Sequence, residues 1–92
     1  MIGVFDSGIG GLTVLKEILR ELPQYDYLYF GDTLHVPYGN RSDDAVYSLT
    51  RDACDYLFNQ GCRLIIIACN TASAKALRKL QQEYLQIGRA HV

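Results

Sequence analysis

Apolar and polar positions along the chain alternate between two periods. Ile2 to Phe5 is a short apolar run that reads as a strand, and it passes into the glycine-rich segment Asp6-Ser7-Gly8-Ile9-Gly10-Gly11. Leu12, Leu15, Ile18 or Leu19, and Leu22 then recur at helical spacing until Pro23 stops the pattern. Tyr25 to Phe30 is rich in aromatic strand formers, and Gly31-Asp32 opens a polar loop running through Pro37-Tyr38-Gly39-Asn40. Ser42 suits an N-cap, with Asp43 and Asp44 in the first turn, where the helix dipole favours negative charge. Val46, Leu49, Ala53 and Tyr56 or Leu57 trace the apolar face of that helix, which ends before Gly61. Leu64 to Ala68 is a continuous apolar run of the kind found in parallel strands covered on both faces. A third helix is expected to start with Asn70 or Thr71 as its cap and to bury Leu77, Leu80 and Tyr84.

The element order is therefore βαβαβα, with no internal repeat or linker. Right-handed crossovers turn that order into an α/β fold, a parallel sheet with helices on both faces. All three polar motifs follow strands, which gathers them at the carboxyl edge of the sheet. Ligands of open α/β sheets bind at that edge, so the pattern already marks a site.

Composition narrows the function. The 92 residues are 49% hydrophobic and 21% charged, which is a globular composition. A formal charge of -1 with interspersed signs leaves no basic stripe for a phosphate backbone, so small molecules are favoured over nucleic acid as partners. The seven tyrosines are then expected to pack and tether helices rather than to stack bases. No apolar run is long enough to cross a bilayer, and the N-terminus lacks the pattern of a signal peptide, so no membrane association and a cytoplasmic location are expected. Cys54, Cys62 and Cys69 form an odd set with no C-x-x-C pair, which argues against a disulfide framework and a zinc knuckle.

Cys69 stands between a buried strand and a helix N-terminus, where the dipole and free amides favour a thiolate. Position alone fits a base or nucleophile and a small buried hydrophobe equally well. Asn70 and Thr71 can cap the helix and also hold an anionic carboxylate beside the backbone amides. Asp6 and Ser7 end the first strand; a carboxylate there suits a turn, or proton transfer with a thiol and orientation of an ammonium group. Pro37-Tyr38-Gly39 can set a hydroxyl and backbone amides around a ligand. His35 reads as structural before it reads as a second base, and Cys54 and Cys62 read as packing residues. Gly8-Ile9-Gly10-Gly11-Leu12-Thr13, with Asp32 about 20 residues on, is similar to a dinucleotide-binding fingerprint. However, Thr13 occupies the place of its third glycine, and the fingerprint accounts for neither Asp6-Ser7 nor Cys69-Asn70-Thr71.

Three blocks together carry a more specific resemblance: Asp6 to Val14, Gly31-Asp32-Thr33 with Val36-Pro37-Tyr38-Gly39, and Ile67 to Ser73. In order and spacing they resemble the glutamate racemases of the aspartate/glutamate racemase superfamily, over essentially Ile2 to Leu85. The block at Pro37-Tyr38-Gly39 favours the glutamate branch. The resemblance implies interconversion of L- and D-glutamate without cofactor or metal, a homodimeric parent, and a supply of D-glutamate for bacterial peptidoglycan. It also implies that two cysteines face opposite sides of the substrate α-carbon. Cys69 would be one of them, assisted by Asp6, with Asp6, Ser7, Tyr38, Gly39, Asn70 and Thr71 binding glutamate.

The resemblance further implies two similar α/β domains with the site between them. The Gly-Cys-Thr-His block of the second half has no counterpart here, so residues 1–85 are expected to be part of an N-terminal domain and the fragment to be inactive alone. Residues 86–92 are expected to be a non-native tail: Ile87-Gly88-Arg89-Ala90-His91-Val92 continues no pattern, and a matching coding sequence, ATC GGA AGA GCA CAC GTC, resembles a sequencing-library adapter. Two other functions are compatible with the residues. One is an amidase-like enzyme using Cys69 as nucleophile with His35 as its base, and the other is a non-catalytic glutamate-binding module.

Overall fold

The computed structural model describes residues 1–8 and 10–86. Strand β1 spans Ile2–Asp6, helix α1 Leu12–Glu21, strand β2 Tyr27–Gly31, helix α2 Asp43–Asn59 and strand β3 Leu64–Ile67. Helices α3 (Asn70–Lys75) and α4 (Leu77–Gln86) follow, and two single 3-10 turns, Thr33–His35 and Tyr38–Asn40, lie in the loop after β2. The expected tail from Ile87 onward lies outside the described residues, while Gln86 is the last residue of α4.

The strands form one parallel sheet in the order β2-β1-β3. Ile2 pairs with Tyr27 and Leu64, and Asp6 pairs with Gly31, so the three strands end nearly level. With β1 central, right-handed crossovers place α1 and α2 on opposite faces. The α2 face holds the core: Phe5 and Ile65 from the sheet meet Val46, Ala53, Cys54, Leu57 and Phe58 of α2, with Leu80 and Tyr84 of α4. Gly3 lies directly beneath that helix, where an added Cβ would stand 3.2 Å from both Cys62 Sγ and Leu57 Cδ1. Thr50, in the middle of α2, is fully buried and satisfies its hydroxyl by donating to the Val46 carbonyl one turn back at 2.7 Å.

Both ends of α2 follow the sequence. Ser42 Oγ accepts from the Ala45 amide at 3.1 Å, and Asp43 and Asp44 occupy the first turn. The helix terminates at Gly61, which adopts a positive φ of 102°. Two expectations are corrected. The third helix is broken at Ala76, whose φ of -130° and ψ of -24° separate α3 from α4. The bend lets α3 pack on α2 and on the Tyr38–Asn40 turn while α4 carries Tyr84 to Phe58, their ring centroids 4.9 Å apart. Its N-cap is Cys69, not Asn70 or Thr71.

Helix α1 differs from the others. None of its residues is fully buried, and Leu12, Val14 and Leu19 are 40 to 49% exposed. Its apolar stripe is as regular as the sequence indicates, but the described residues cover only part of it. The tyrosines do tether elements: the Tyr84 hydroxyl donates to Asp55 Oδ1 at 2.7 Å, and the Tyr47 hydroxyl donates to Glu83, joining α2 to α4 twice. No helix among the described residues is long and apolar enough to cross a membrane.

Candidate functional site

The carboxyl ends of β1 and β3 lie side by side, tied by the Ala68 amide donating to the Phe5 carbonyl at 2.8 Å. This brings Ser7 and Cys69 together although 62 residues separate them in sequence. Cys69 Sγ donates to Ser7 Oγ at 3.1 Å and accepts from the Ala72 amide at 3.4 Å, so the sulfur serves as the helix cap that Asn70 and Thr71 were expected to supply. Asn70 and Thr71 instead occupy the first two positions of α3, Asn70 exposed and Thr71 half-buried, beside the free amides of that terminus.

Asp6 is buried at the end of β1, and its Oδ2 is engaged by two donors. The Gly11 amide, at the start of α1, reaches it at 2.5 Å, and the Tyr29 hydroxyl at 3.0 Å. No hydrogen bond joins Asp6 to Cys69 among the described residues; Ser7 is the group on the thiol. Gly11 must be glycine for Asp6 to sit there, since an added Cβ would lie 2.9 Å from the Asp6 side chain and 3.0 Å from Ala68. The Tyr29 hydroxyl also lies 3.1 Å from the Gly8 carbonyl. Burial, and then its bond to Asp6, push the Tyr29 phenol up to about 12, so it remains a proton donor at neutral pH.

Tyr38 is buried, its ring centroid 6.2 Å from that of Phe5, and its hydroxyl donates to Asp32 Oδ2 at 2.5 Å. Burial and then the Asp32 contact raise its pKa, with the nearby Cys69 adding to the push. His35 Nδ1 lies 2.9 Å from both Asp32 oxygens. Asp32 therefore gathers the loop: burial works against its charge, but the bonds from Tyr38 and His35 outweigh burial and hold the carboxyl below its usual value. Arg41 closes the loop by donating from Nε to the His35 carbonyl at 2.9 Å, and Lys75 Nζ of α3 donates to the Arg41 carbonyl at 3.0 Å. Gly39 is exposed at the tip of the Tyr38–Asn40 turn, with nothing within 4 Å of an added Cβ.

Cys69, Ser7 and Tyr38 thus converge on one edge of the sheet, flanked by Gly39, Asn70 and Thr71. His35 Nδ1 is held by Asp32, and no hydrogen bond joins His35 to Cys69 among the described residues. Cys54 and Cys62 lie in the core with free thiols. Burial, and then Asp55, push the Cys54 thiol up to about 12, and burial also raises Cys62, consistent with packing roles. Sequence reasoning missed Tyr29 and the part played by Asp32. Tyr29 is opposite Val4, and its diagonal neighbour across the strand pair is Asp6, so only the β1–β2 register reveals its reach.

No protein-family model matches the chain. Sequence relatives decide the question: the glutamate racemase of Ruegeria pomeroyi is 51% identical over 88 residues, 96% of this chain and 33% of the relative, and that of Dinoroseobacter shibae is 54% identical over 84 residues. The chain belongs to the glutamate racemase family. Solved racemases share its fold. The chain matches glutamate racemase from Thermus thermophilus, crystallised with beta-chloro-D-alanine, with a TM-score of 0.86 and 50% identity over 89% of its length. It matches the Escherichia coli glutamate racemase, solved with L-glutamate and the activator UDP-MurNAc-ala, with a TM-score of 0.87 and 33% identity. The chain spans about a third of the length of the racemases it matches.

Proposed function

We propose that this chain forms one wall of a glutamate racemase active site, with Cys69 as the proton-transfer group of that wall. The observation that carries the proposal is the Ser7–Cys69 hydrogen bond at the sheet edge of a chain about half identical to named glutamate racemases. In this reading residues 1–85 are part of the N-terminal domain of a longer, two-domain parent, and residues 86–92 are foreign to it. The parent acts as a homodimer in the cytoplasm and supplies D-glutamate for peptidoglycan.

The reaction needs two groups on opposite faces of one carbon. The Cys69 thiolate removes the α-proton, leaving a planar carbanion, and a thiol contributed by the remainder of the parent returns a proton to the other face. Atoms balance without a cofactor: one sulfur gains the α-proton, and the other gives its own proton to the carbon. The Ser7 hydroxyl, now bonded to the Cys69 thiol, can reverse its role and donate to the thiolate. Asn70, Thr71 and the free amides of α3 suit a substrate carboxylate, Tyr38 and Gly39 border it, and Asp6 assists from the end of β1.

The full-length parent tests this, with a Cys69→Ser variant. Glutamate bearing a leaving group at the β-carbon reports proton abstraction from each enantiomer separately, because elimination needs only one base. Loss of elimination from the D-substrate with the L-substrate retained supports the proposal. Equal loss from both, with binding unchanged, overturns it.

A further inference from the structure

Ser7 bonds to the Cys69 thiol, yet Ser7 stands between two residues that are themselves held from outside the turn. The Tyr29 hydroxyl projects from β2 to within 3.0 Å of Asp6 Oδ2 and 3.1 Å of the Gly8 carbonyl, so its one proton is shared between acceptors on both chain neighbours of Ser7. The approach is close because residue 31, at the end of the same strand, is glycine: an added Cβ there would stand 2.5 Å from the Gly8 carbonyl oxygen. The Asp32 amide, donating to the Asp6 carbonyl at 2.9 Å, completes the seam between β2 and the turn.

We propose that Tyr29 is a positioning residue for proton transfer at Cys69: its hydroxyl fixes Asp6 and Gly8, and through them the Ser7 hydroxyl that faces the thiol. The inference rests on the racemase reading above and deepens it. Among the described residues the Tyr29 hydroxyl bonds to Asp6 and Gly8, and the Cys69 sulfur to Ser7 and Ala72. Tyr29 acts on the geometry of the Ser7–Cys69 pair, where a displacement of about 1 Å is enough to slow a reaction on the order of a hundredfold. The phenol is held protonated at neutral pH by burial and by Asp6, so it serves there as a fixed donor. The effect is expected on the Cys69 face, because the Ser7 hydroxyl that Tyr29 fixes is bonded to that thiol.

The test uses the full-length parent carrying Tyr29→Phe, with Cys69→Ser alongside and Tyr27→Phe as control. The Tyr27 hydroxyl lies on the same strand but donates to the Leu22 carbonyl in an exposed position, away from the turn. Elimination from D- and L-glutamate bearing a β-leaving group is measured for each variant. Tyr29→Phe is expected to slow abstraction from the D-substrate by about tenfold or more, with the L-substrate within about twofold of wild type. Tyr27→Phe is expected to change neither. A merely structural role for Tyr29 would depress both enantiomers together. Equal loss, or no loss, therefore overturns the inference. Should Tyr29→Phe unfold the protein, 3-fluorotyrosine at position 29, which keeps the donor, must retain D-substrate elimination; an equal drop in both enantiomers there also overturns it. If Cys69→Ser itself shows no one-sided loss, the racemase reading falls and this inference with it. One-sided loss in Cys69→Ser without it in Tyr29→Phe defeats this inference alone.

Discussion

Tyr38 donates its phenolic proton to Asp32 Oδ2 across 2.5 Å, and the pair fixes the loop that borders Cys69. The folded-state pKa of Asp32 is depressed, so its ionised form binds the fold better than its neutral form. That contribution is complete above the ordinary aspartate value of about 3.9 and is lost as pH falls through the lower folded value. Thermal unfolding followed from neutral to strongly acid pH should show an acid limb that Asp32→Asn flattens. At neutral pH the same substitution should lower the midpoint by several degrees, the response to about 1 kcal/mol in a domain this size. An unchanged acid limb would show that Asp32 does not organise the loop.

Gly31 and Gly39 make opposite predictions. A Cβ at Gly31 meets the backbone oxygen of Gly8, which cannot rotate away, so Gly31→Ala should destabilise the chain by roughly 1–3 kcal/mol and disturb the glycine turn. A Cβ at Gly39 meets nothing within 4 Å, so Gly39→Ala should leave the unfolding free energy within about 0.5 kcal/mol of wild type. A rise in KM for Gly39→Ala in the full-length parent would then report contact with substrate. A stability loss at Gly39 matching that at Gly31 would contradict the open tip.

Cys54 should be chemically silent. With its thiol pushed up to about 12 by burial and then by Asp55, almost none of it is thiolate at pH 8. Native alkylation followed by mass spectrometry should leave Cys54 unmodified, and denaturation should expose it. Rapid native labelling at Cys54 would mean that α2 lifts from the sheet.

The isolated 92-residue chain should not racemise glutamate, because a single thiol has no partner on the opposite face. Circular dichroism of L-glutamate incubated with purified chain is the direct assay. Turnover abolished by Cys69→Ser would refute the requirement for a second thiol. Removing residues 86–92 should leave the melting midpoint unchanged, and a loss of several degrees would show that the tail packs.

The local periods in the sequence were sufficient to locate three strands, the capped helix at Ser42 and the polar segments after each strand. Helical spacing, strand runs, caps and glycine stops are properties of neighbouring residues, and they survived folding with boundary shifts of a residue or two. Cys69, Ser7 and Tyr38 were legible as candidates for the same reason: each lies in a polar break directly after an apolar run. The tertiary structure alone decided what each of them touches. Asp6 turns to Gly11 and Tyr29 while Ser7 meets the thiol, because the register of β1 against β2 sends Tyr29 to the Asp6 side of the sheet, and a one-residue slip would send it to the other. The sequence placed the cap of α3 on Asn70 or Thr71, yet the sulfur of Cys69 takes it, because the β3 exit aims that side chain at the Ala72 amide. The break at Ala76 carries no proline or glycine to announce it; it arises where α3 and α4 satisfy different surfaces of the core. The apolar stripe of α1 was written plainly in its spacing, but only the packed structure showed that the described residues leave much of it open, since burial depends on what the rest of the chain lays over it.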